Sequence, residues 1–264
     1  MLYDEDIGDV PVFVLEGVGD STNNVTCNYL KVSERSRKYL REPNLSILTC
    51  NIRSCRKNFN NFLLELGDIL YDFKIIVLTE TWLTENIDFL FHIDGFCQFN
   101  LYRSGYGGGI KVYYDSSLNV SLATDLTFVE NGMELISFYV NDLQNKFLIC
   151  CLYHPPSSDH EYHNNLTDKL INLILGVAHP EMKIILCGDF NLDLFNPLRL
   201  SYIVNFMNSL LSLNFIPVIT IPTKFNFENI TTRYSLIDQI WVNFSVPTVI
   251  SYVLKCQIWC TLCT

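Results

Sequence analysis

The sequence has few charged side chains for its length. Only 17% of its 264 residues are Asp, Glu, Lys or Arg, whereas 49% are apolar and 13% are aromatic. Soluble domains typically carry about 25% charged residues, so a large share of this chain is expected to be buried. The composition therefore supplies an ample core and suits one large domain or two small ones.

Basic residues are missing from the first twenty positions, which carry six acidic side chains. A signal peptide begins with basic residues and has an apolar centre, so we do not expect one here. Long apolar runs are also missing. Phe147–Tyr153 is among the longest, well short of the roughly 20 residues that span a bilayer. We therefore expect an intracellular protein with no membrane contact.

The chain has ten cysteines, but they are scattered and few of them have the spacing of a metal-binding motif. Several lie in apolar runs, where a free thiol behaves as a small apolar side chain. Cys260 and Cys263 form a Cys-x-x-Cys pair, but a zinc site needs a second ligand pair and only Cys256 is near in sequence. We expect reduced thiols and no zinc site.

Acidic residues outnumber basic ones, 28 to 18, which gives a net charge of −10. This balance argues against a protein that coats nucleic acid non-specifically. The segment Lys31–Lys57 differs, because it holds eight basic and two acidic side chains. Such a stripe is compatible with contact to a phosphate backbone, and equally with a solvated basic linker.

The hydrophobic pattern predicts an N-terminal extension and one α/β domain. Residues 1–43 lack sustained periodicity and are predicted to be loosely ordered; residues 44–264 form the domain. Short apolar runs predict strands at Leu45–Cys50, Lys74–Thr79, Ile110–Tyr114, Leu118–Leu122, Glu134–Val140, Phe147–Tyr153, Met182–Cys187, Leu236–Val242 and Thr248–Leu254. Helical spacing predicts helices at Asn58–Phe73, Leu166–Val177 and Leu200–Leu213, with loop or edge structure at Ile216–Asn229.

Polar side chains occur where the predicted strands end. Asn51 and Glu80 follow the two strands of a βαβ-like unit, which places them in one crevice. Asp189 and Asn191 come after the strand that ends at Cys187, and continued strand geometry would put both on one side. Taken alone, Gly-Asp-Phe-Asn is also typical of a turn.

Two further positions strengthen this pattern. Tyr153 ends a strand just before a pair of prolines, and Asp238 lies inside an apolar run, where a carboxylate needs a partner. Glu80, Asp189 and Asp238 offer hard oxygen ligands that suit Mg²⁺ or Mn²⁺. A carboxylate centre of this kind favours phosphoryl chemistry.

Five segments in this order resemble the endonuclease/exonuclease/phosphatase superfamily, and specifically the apurinic/apyrimidinic-type endonuclease domain of non-LTR retrotransposons. They are Thr49–Ser54, Leu78–Leu83, Leu152–Ser158, Gly188–Asn191 and Ser235–Asp238. The resemblance runs from about Leu45 to Leu254. It implies a four-layer α/β sandwich of two packed mixed β-sheets flanked by helices. It also implies Mg²⁺-dependent hydrolysis of a DNA phosphodiester, which nicks target DNA to prime reverse transcription.

The resemblance assigns the metal and the substrate to particular side chains. It implies that Glu80 binds the metal, with Asn51 beside it. It implies that Ser235 and Arg53 lie near the phosphate. The implied partner is DNA, bound by a monomer that acts in the nucleus. A reverse transcriptase is expected in a full-length element and is absent from this chain.

The resemblance also assigns the catalytic steps. Tyr153 is implied to donate a hydrogen bond to the scissile phosphate or the nucleophile. Asp189 is implied to position and deprotonate the attacking water, and Asn191 to stabilise the transition state. Asp238 is implied to orient a catalytic histidine.

That histidine has no match in this sequence. The family closes with a Ser-Asp-His motif, but the five histidines here all precede Asp238, and the last ten residues hold neither Asp nor His. The end therefore resembles a truncated or altered reading frame, although His154, beside Tyr153, could lie near the site. Three hypotheses stay open: an active endonuclease, a folded remnant that does not cleave, and a phosphatase of the same superfamily.

Overall fold

Two large β-sheets and three helices make up most of the described chain. A computed structural model describes residues 25–31, 45–69, 73–105, 107–130, 132–141, 146–157, 159–177, 179, 182–195, 200–228, 231–244, 249–255 and 260–263. The predicted N-terminal extension therefore falls largely outside the described residues, as do Cys256 and residues 32–44 of the basic stripe, which hold four of its eight basic side chains. The boundary at residue 43 stays a prediction.

The first sheet, sheet 1, has seven strands. In spatial order they are β1 (Val25–Lys31), β15 (Val249–Lys255), β16 (Cys260–Cys263), β2 (Ile47–Asn51), β3 (Ile75–Thr79), β5 (Ile110–Asp115) and β4 (Phe96–Leu101). Strands β2 and β3 are parallel and are connected by helix α1 (Cys55–Ile69), which confirms the predicted βαβ unit. Strands β1 and β15 are also parallel, and the other neighbours are antiparallel.

The second sheet, sheet 2, has six strands on its main path. In order they are β11 (Ile216–Pro217), β14 (Asp238–Val242), β10 (Lys183–Asp189), β9 (Lys146–Tyr153), β8 (Met133–Asn141) and β6 (Asn119–Leu122), with β7 (Phe128–Glu130) also paired to β8. Strands β6, β8 and β9 pair antiparallel. Among the described strands of this sheet, β9 and β10 are the one parallel pair, and helix α2 (His160–Val177) connects them. A separate hairpin contains β12 (Lys224–Glu228) and β13 (Thr231–Ser235).

The layers follow from which faces are apolar. In β3, Ile75 and Val77 belong to the core between the sheets, whereas Ile76 and Leu78 pack with α1 on the outer side. A strand buried on both faces needs a continuous apolar run, and this strand has one. Helices α2 and α3 (Ser201–Ser212) bury their apolar sides against sheet 2. The fold is thus the four-layer α/β sandwich.

The structure differs from the sequence prediction at several elements. Helix α2 begins at His160 rather than Leu166, because the Asp159 carboxylate accepts the Glu161 N–H and caps its first turn. Strands β1, β4, β7, β13 and β16 were not predicted, and β12 lies in the segment predicted as loop or edge. Within the described residues, no helix has the length and hydropathy needed to cross a membrane.

Candidate active site

One row of polar side chains crosses sheet 2 at the end of the sheet where β9 and β10 stop and where β8 and β14 begin. Asp189 is the last residue of β10 and pairs in register with Asp238 on one side and Tyr153 on the other. Tyr153 pairs in turn with Glu134 of β8. All four side chains are buried. Since in-register partners share a face of a sheet, three carboxylic acids and a phenol lie at one level of the molecule.

Sheet 1 contributes Asn51, the last residue of β2, and Glu80, which directly follows β3. The backbone after β2 is fixed to the backbone after β3, since the Ser54 N–H donates to the Glu80 carbonyl at 2.8 Å. Glu80 has φ 53°, in the left-handed region that side chains other than glycine seldom adopt. This costly conformation holds the half-buried Glu80 where Asn51 can reach it.

The side chain of Asn51 joins the two sheets. Its Nδ2 donates to Glu80 Oε1 and to Asp189 Oδ2, both at 2.7 Å. Its Oδ1 accepts the Arg53 N–H at 3.1 Å, which sets the direction of the amide. One amide nitrogen therefore lies between two carboxylates that come from different sheets. The structure thus brings Asn51, Glu80 and Asp189 together, as the strand-end argument predicts.

The segment after β10 is a turn, which is one of the two geometries that the sequence leaves open, and the strand ends at Asp189. Asn191 has φ 48°, and its N–H donates to Asp189 Oδ1 at 3.1 Å. Its side-chain Nδ2 donates to the His154 carbonyl at 2.8 Å, while Phe190 is fully buried in the core. Gly188 has φ 132°, and a Cβ there would lie 2.0 Å from the Leu152 carbonyl oxygen. Only glycine allows β9 and β10 to approach this closely.

Asp238 opens β14 and does not lie inside a strand, because the ladder begins at this residue. Thr223 Oγ1 accepts the N–H of Ile237 at 3.2 Å and that of Asp238 at 3.1 Å. The Ser235 carbonyl in turn accepts the Thr223 N–H at 2.9 Å. Ser235 therefore supports the site through its backbone, and a direct contact from its side chain to substrate stays a prediction.

Burial dominates the electrostatics of the site. It raises the pKa of Asp189 to about 6, against the effect of the Asn51 hydrogen bond. Burial also raises the pKa of Asp238 well above its usual range, and the negative charge of Asp189 adds to this effect. The positive charges of Lys224 and of the exposed Arg53 act in the opposite direction on Asp238. Burial and the nearby carboxylates raise the pKa of Tyr153, so its phenol is a neutral hydrogen-bond donor.

His154 does not present its imidazole to the carboxylates. Its Nδ1 hydrogen-bonds to the Gly132 carbonyl, and its Nε2 lies 2.9 Å from His163 Nδ1. Burial lowers the pKa of His154 to about 4. Its backbone supports the site instead, because its N–H donates to the Asp189 carbonyl at 2.9 Å and its carbonyl binds Asn191.

The donor set suits a hard divalent cation. Within the described part of the chain, no three His, Cys, Asp or Glu side chains form a metal-binding group. However, Glu80 and Asp189 share one hydrogen-bond donor, and no ion pair joins either of them to a described Lys or Arg. Mg²⁺ typically binds one or two carboxylates and keeps several waters, so this pair fits it. Asn51 could act as a ligand only if its Oδ1 turned away from the Arg53 N–H.

Two residues of the site were missed by the sequence argument. Glu134 is a carboxylate inside an apolar strand, the same signal that points to Asp238, but it follows no strand end. Thr223 stands between a proline and a lysine and carries no pattern that distinguishes it from a loop residue. Only the fold shows that its hydroxyl binds the start of β14.

Comparison with known proteins identifies the family. A model of the endonuclease/exonuclease/phosphatase family matches residues 48–253. No curated protein sequence matches. The endonuclease domain of TRAS1, a telomere-specific non-LTR retrotransposon, has a TM-score of 0.62 at 12% identity, over 83% of this chain and 97% of that one.

Two other solved structures share the fold. The 3′-5′ exonuclease NExo from Neisseria meningitidis has a TM-score of 0.62 at 15% identity, over 83% of this chain and 99% of that one. D. rerio TDP2, complexed with a single-strand DNA product, has a TM-score of 0.60 at 16% identity, over 83% and 97%. The matched family model spans most of the sequence and all five motifs, so this chain belongs to the endonuclease/exonuclease/phosphatase family.

Proposed function

We propose that the chain is a divalent-metal-dependent phosphodiesterase of the retrotransposon endonuclease type, which nicks DNA with a water activated by Asp189. The observation that carries the proposal is the Asn51 amide nitrogen, which lies 2.7 Å from a carboxylate oxygen of each sheet. Buried carboxylates without a cationic partner are costly, and a fold retains them where a cation or a proton is handled.

Each side chain has a role that its contacts support. Asp189, with a pKa of about 6, is ionised near neutral pH and basic enough to accept a proton from water. Tyr153 is a neutral phenol and donates a hydrogen bond to a phosphate oxygen. Asn191 is fixed by its bond to the His154 carbonyl and keeps a carboxamide beside the reacting group. Glu80 and Asn51 would hold Mg²⁺ or Mn²⁺, which offsets negative charge on the phosphate when it is bound.

DNA is the proposed substrate because the resemblance is to an endonuclease and relatives have been solved with DNA, including the TDP2 product complex. We further propose that the protein acts as a monomer on nuclear DNA, as part of an element whose reverse transcriptase primes at the nick. Arg53 is exposed and its charge reaches Asp238, so it is placed to contact a phosphate next to the scissile one.

A non-cleaving remnant is the second candidate, and the histidines favour it. Among the described residues, His154 and His163 hydrogen-bond to each other and to backbone carbonyls, so neither offers a free nitrogen to the site. Losing a group that stabilises the transition state commonly costs two to three orders of magnitude, on the order of 3–4 kcal/mol.

Nicking of supercoiled plasmid in Mg²⁺ distinguishes these candidates. Three proteins are compared: the natural chain, Asp189→Ala, and a version in which Ser-Asp-His replaces residues 257–259, between β15 and β16. That position is chosen because Cys260 of β16 pairs with Cys50, next to Asn51, whereas Cys263 pairs with Ile47 at the other end of β2. Nicking that disappears in Asp189→Ala supports the endonuclease. Nicking only in the version with Ser-Asp-His supports the remnant. Release of phosphate from DNA ends without nicking would favour a phosphatase, and inactivity of all three folded proteins would contradict the endonuclease.

A further inference from the structure

Glu134 is a buried carboxylate that links the two sheets. It lies on β8 of sheet 2, and its side chain is only 2% exposed. Oε2 accepts the Gly109 N–H at 2.6 Å, next to β5 of sheet 1. Oε1 makes no hydrogen bond and faces Arg103 Nη1 at 3.5 Å.

The glycine segment that Glu134 binds is tightly enclosed. A Cβ at Gly108 would lie 2.2 Å from Glu134 Oε1, and one at Gly109 would lie 2.6 Å from Thr81 Oγ1. Both glycines have positive φ, 70° and 88°. The backbone of Gly108 and Gly109 is therefore restricted to one conformation, because it lies between the side chains of Glu134 and Thr81.

This glycine segment in turn holds the residues beside Glu80. The Gly109 carbonyl accepts the Thr81 N–H at 3.2 Å, and the Gly108 carbonyl accepts the Trp82 N–H at 2.9 Å. Trp82 has φ 54°, so the backbone on the far side of Thr81 is also left-handed. A continuous path of hydrogen bonds thus runs from Glu134 through Gly109 to the residue that follows Glu80.

A purely structural role does not require a charge at this position. Burial raises the pKa of Glu134, and the negative charge of Glu80 adds to the cost of ionising it. Glutamine could accept the same Gly109 N–H without that cost. The glycine segment therefore needs an acceptor oxygen at this position and not a charge, and the position lies in the same row as Tyr153 and Asp189.

We propose that Glu134 is a positioning residue for the cation site: it fixes the Gly108–Gly109 segment, and through Thr81 it holds the Glu80 carboxylate within reach of Asn51 and Asp189. The inference rests on the proposed function, because it assumes that Glu80 binds a divalent cation. It assigns Glu134 no contact with substrate or metal. Arg103 has the lesser role of facing the second oxygen.

Binding of Mn²⁺, followed by electron paramagnetic resonance of the free ion, tests the proposal without relying on activity. Supporting groups behind a metal ligand typically change metal affinity by about 10–100-fold. Glu134→Ala is expected to weaken Mn²⁺ binding by that factor. Glu134→Gln retains the acceptor for Gly109 and is expected to lose less than about tenfold. Ser137→Ala, at a buried position on the same strand, is the matched control and is expected to bind as the natural chain does.

The outcomes separate this inference from the function on which it rests. A natural chain that binds no Mn²⁺ would overturn both. A natural chain that binds Mn²⁺ with the same affinity as Glu134→Ala would overturn the inference alone. Glutamine as damaging as alanine would also overturn it, since Glu134 would then act through its charge as a ligand. If Glu134→Ala does not fold, Glu134→Asp replaces it: the shorter side chain withdraws from Gly109, and binding is expected to weaken by a similar factor.

Discussion

Carboxylates at the two ends of the packed sheets lie in opposite electrostatic environments. At the end away from the site, Asp115 accepts hydrogen bonds from Lys74 Nζ at 2.7 Å and from the Ser117 N–H and hydroxyl at 2.9 and 2.6 Å. These partners lower the pKa of Asp115 to about 2, with the bond from Lys74 the largest cause. Here the fold supplies a cation to its carboxylate.

At the site end, Glu80 and Asp189 share an amide, and no described Lys or Arg forms an ion pair with either of them. Asn51 bonds both Glu80 and Asp189, and burial raises the pKa of Asp189 to about 6. The neighbouring Asp238 is shifted in the same direction. The same type of side chain is therefore stabilised as an anion at one end and penalised as an anion at the other. The difference indicates that the site end is completed by something that binds.

The largest effect expected from this contrast is on catalysis. Asp189→Asn removes the base and should lower plasmid nicking in Mg²⁺ by about 10²–10⁴-fold. Asp115→Asn, the matched change at the other end, should leave the nicking rate within about twofold, because Asp115 lies outside the site. Equal losses in the two variants would show that the ends do not differ in function.

The second effect is on how stability depends on pH in the absence of metal. The folded pKa of Asp189 is about 6, above the unfolded value of about 3.9, so the folded state holds the proton more tightly. Its contribution to stability is therefore present below pH 4, falls as the pH rises, and is gone above pH 6, a loss on the order of 2–3 kcal/mol. Urea unfolding of the natural chain and Asp189→Asn in EDTA at pH 4, 5, 6 and 7 measures it. A difference between the two proteins that is constant with pH would contradict the shift.

The third effect is on the cation. Glu80→Gln keeps an acceptor for the Asn51 amide but removes the charge, so the Mg²⁺ concentration for half-maximal nicking should rise at least tenfold, on the order of 1.4 kcal/mol. The rate at saturating Mg²⁺ should fall much less than in Asp189→Asn. An unchanged Mg²⁺ dependence would remove Glu80 from the metal site.

The smallest expected effect is on the free energy of unfolding, from the Lys74–Asp115 ion pair at the end of sheet 1 away from the site. The Lys74–Asp115 pair is partly exposed, and such pairs contribute about 0.2–1 kcal/mol. Asp115→Asn should lower the free energy of unfolding by that amount at pH 7. Because the folded pKa of Asp115 lies below the unfolded one, the pair's contribution is present above about pH 4 and is lost as the pH falls towards 2. Salt should weaken it further.

The sequence predicts the paired strands and the crevice, because both depend on local rules. Apolar runs bounded by polar residues located β2, β3, β9 and β10, and the βαβ rule placed Asn51 beside Glu80. The resemblance supplied the four-layer sandwich, which the structure confirms.

The rest depended on pairings that are distant in sequence. Glu134 reaches Gly109 across 25 residues, and Asn51 reaches Asp189 across 138, so no local pattern reveals either contact. Asn191 left the strand because the Asp189 carboxylate could capture its N–H, a competition that alternation ignores. His154 looked available in the sequence, but the fold supplied His163 and Gly132 as partners.

The most direct test compares the unfolding free energies of the natural chain and Asp189→Asn at pH 7, each in EDTA and in Mn²⁺. In EDTA, Asp189→Asn should be the more stable by about 1–2 kcal/mol, since relief of the buried charge exceeds the loss of one hydrogen bond. In Mn²⁺ at 100 times its dissociation constant, the natural chain should gain about 2.7 kcal/mol and become the more stable of the two. Asp189→Asn should gain less, because it keeps only Glu80 of the carboxylate pair that fits the cation. Asp189→Asn less stable in both conditions, with no response of the natural chain to Mn²⁺, would contradict a cation site at this end of the sheets.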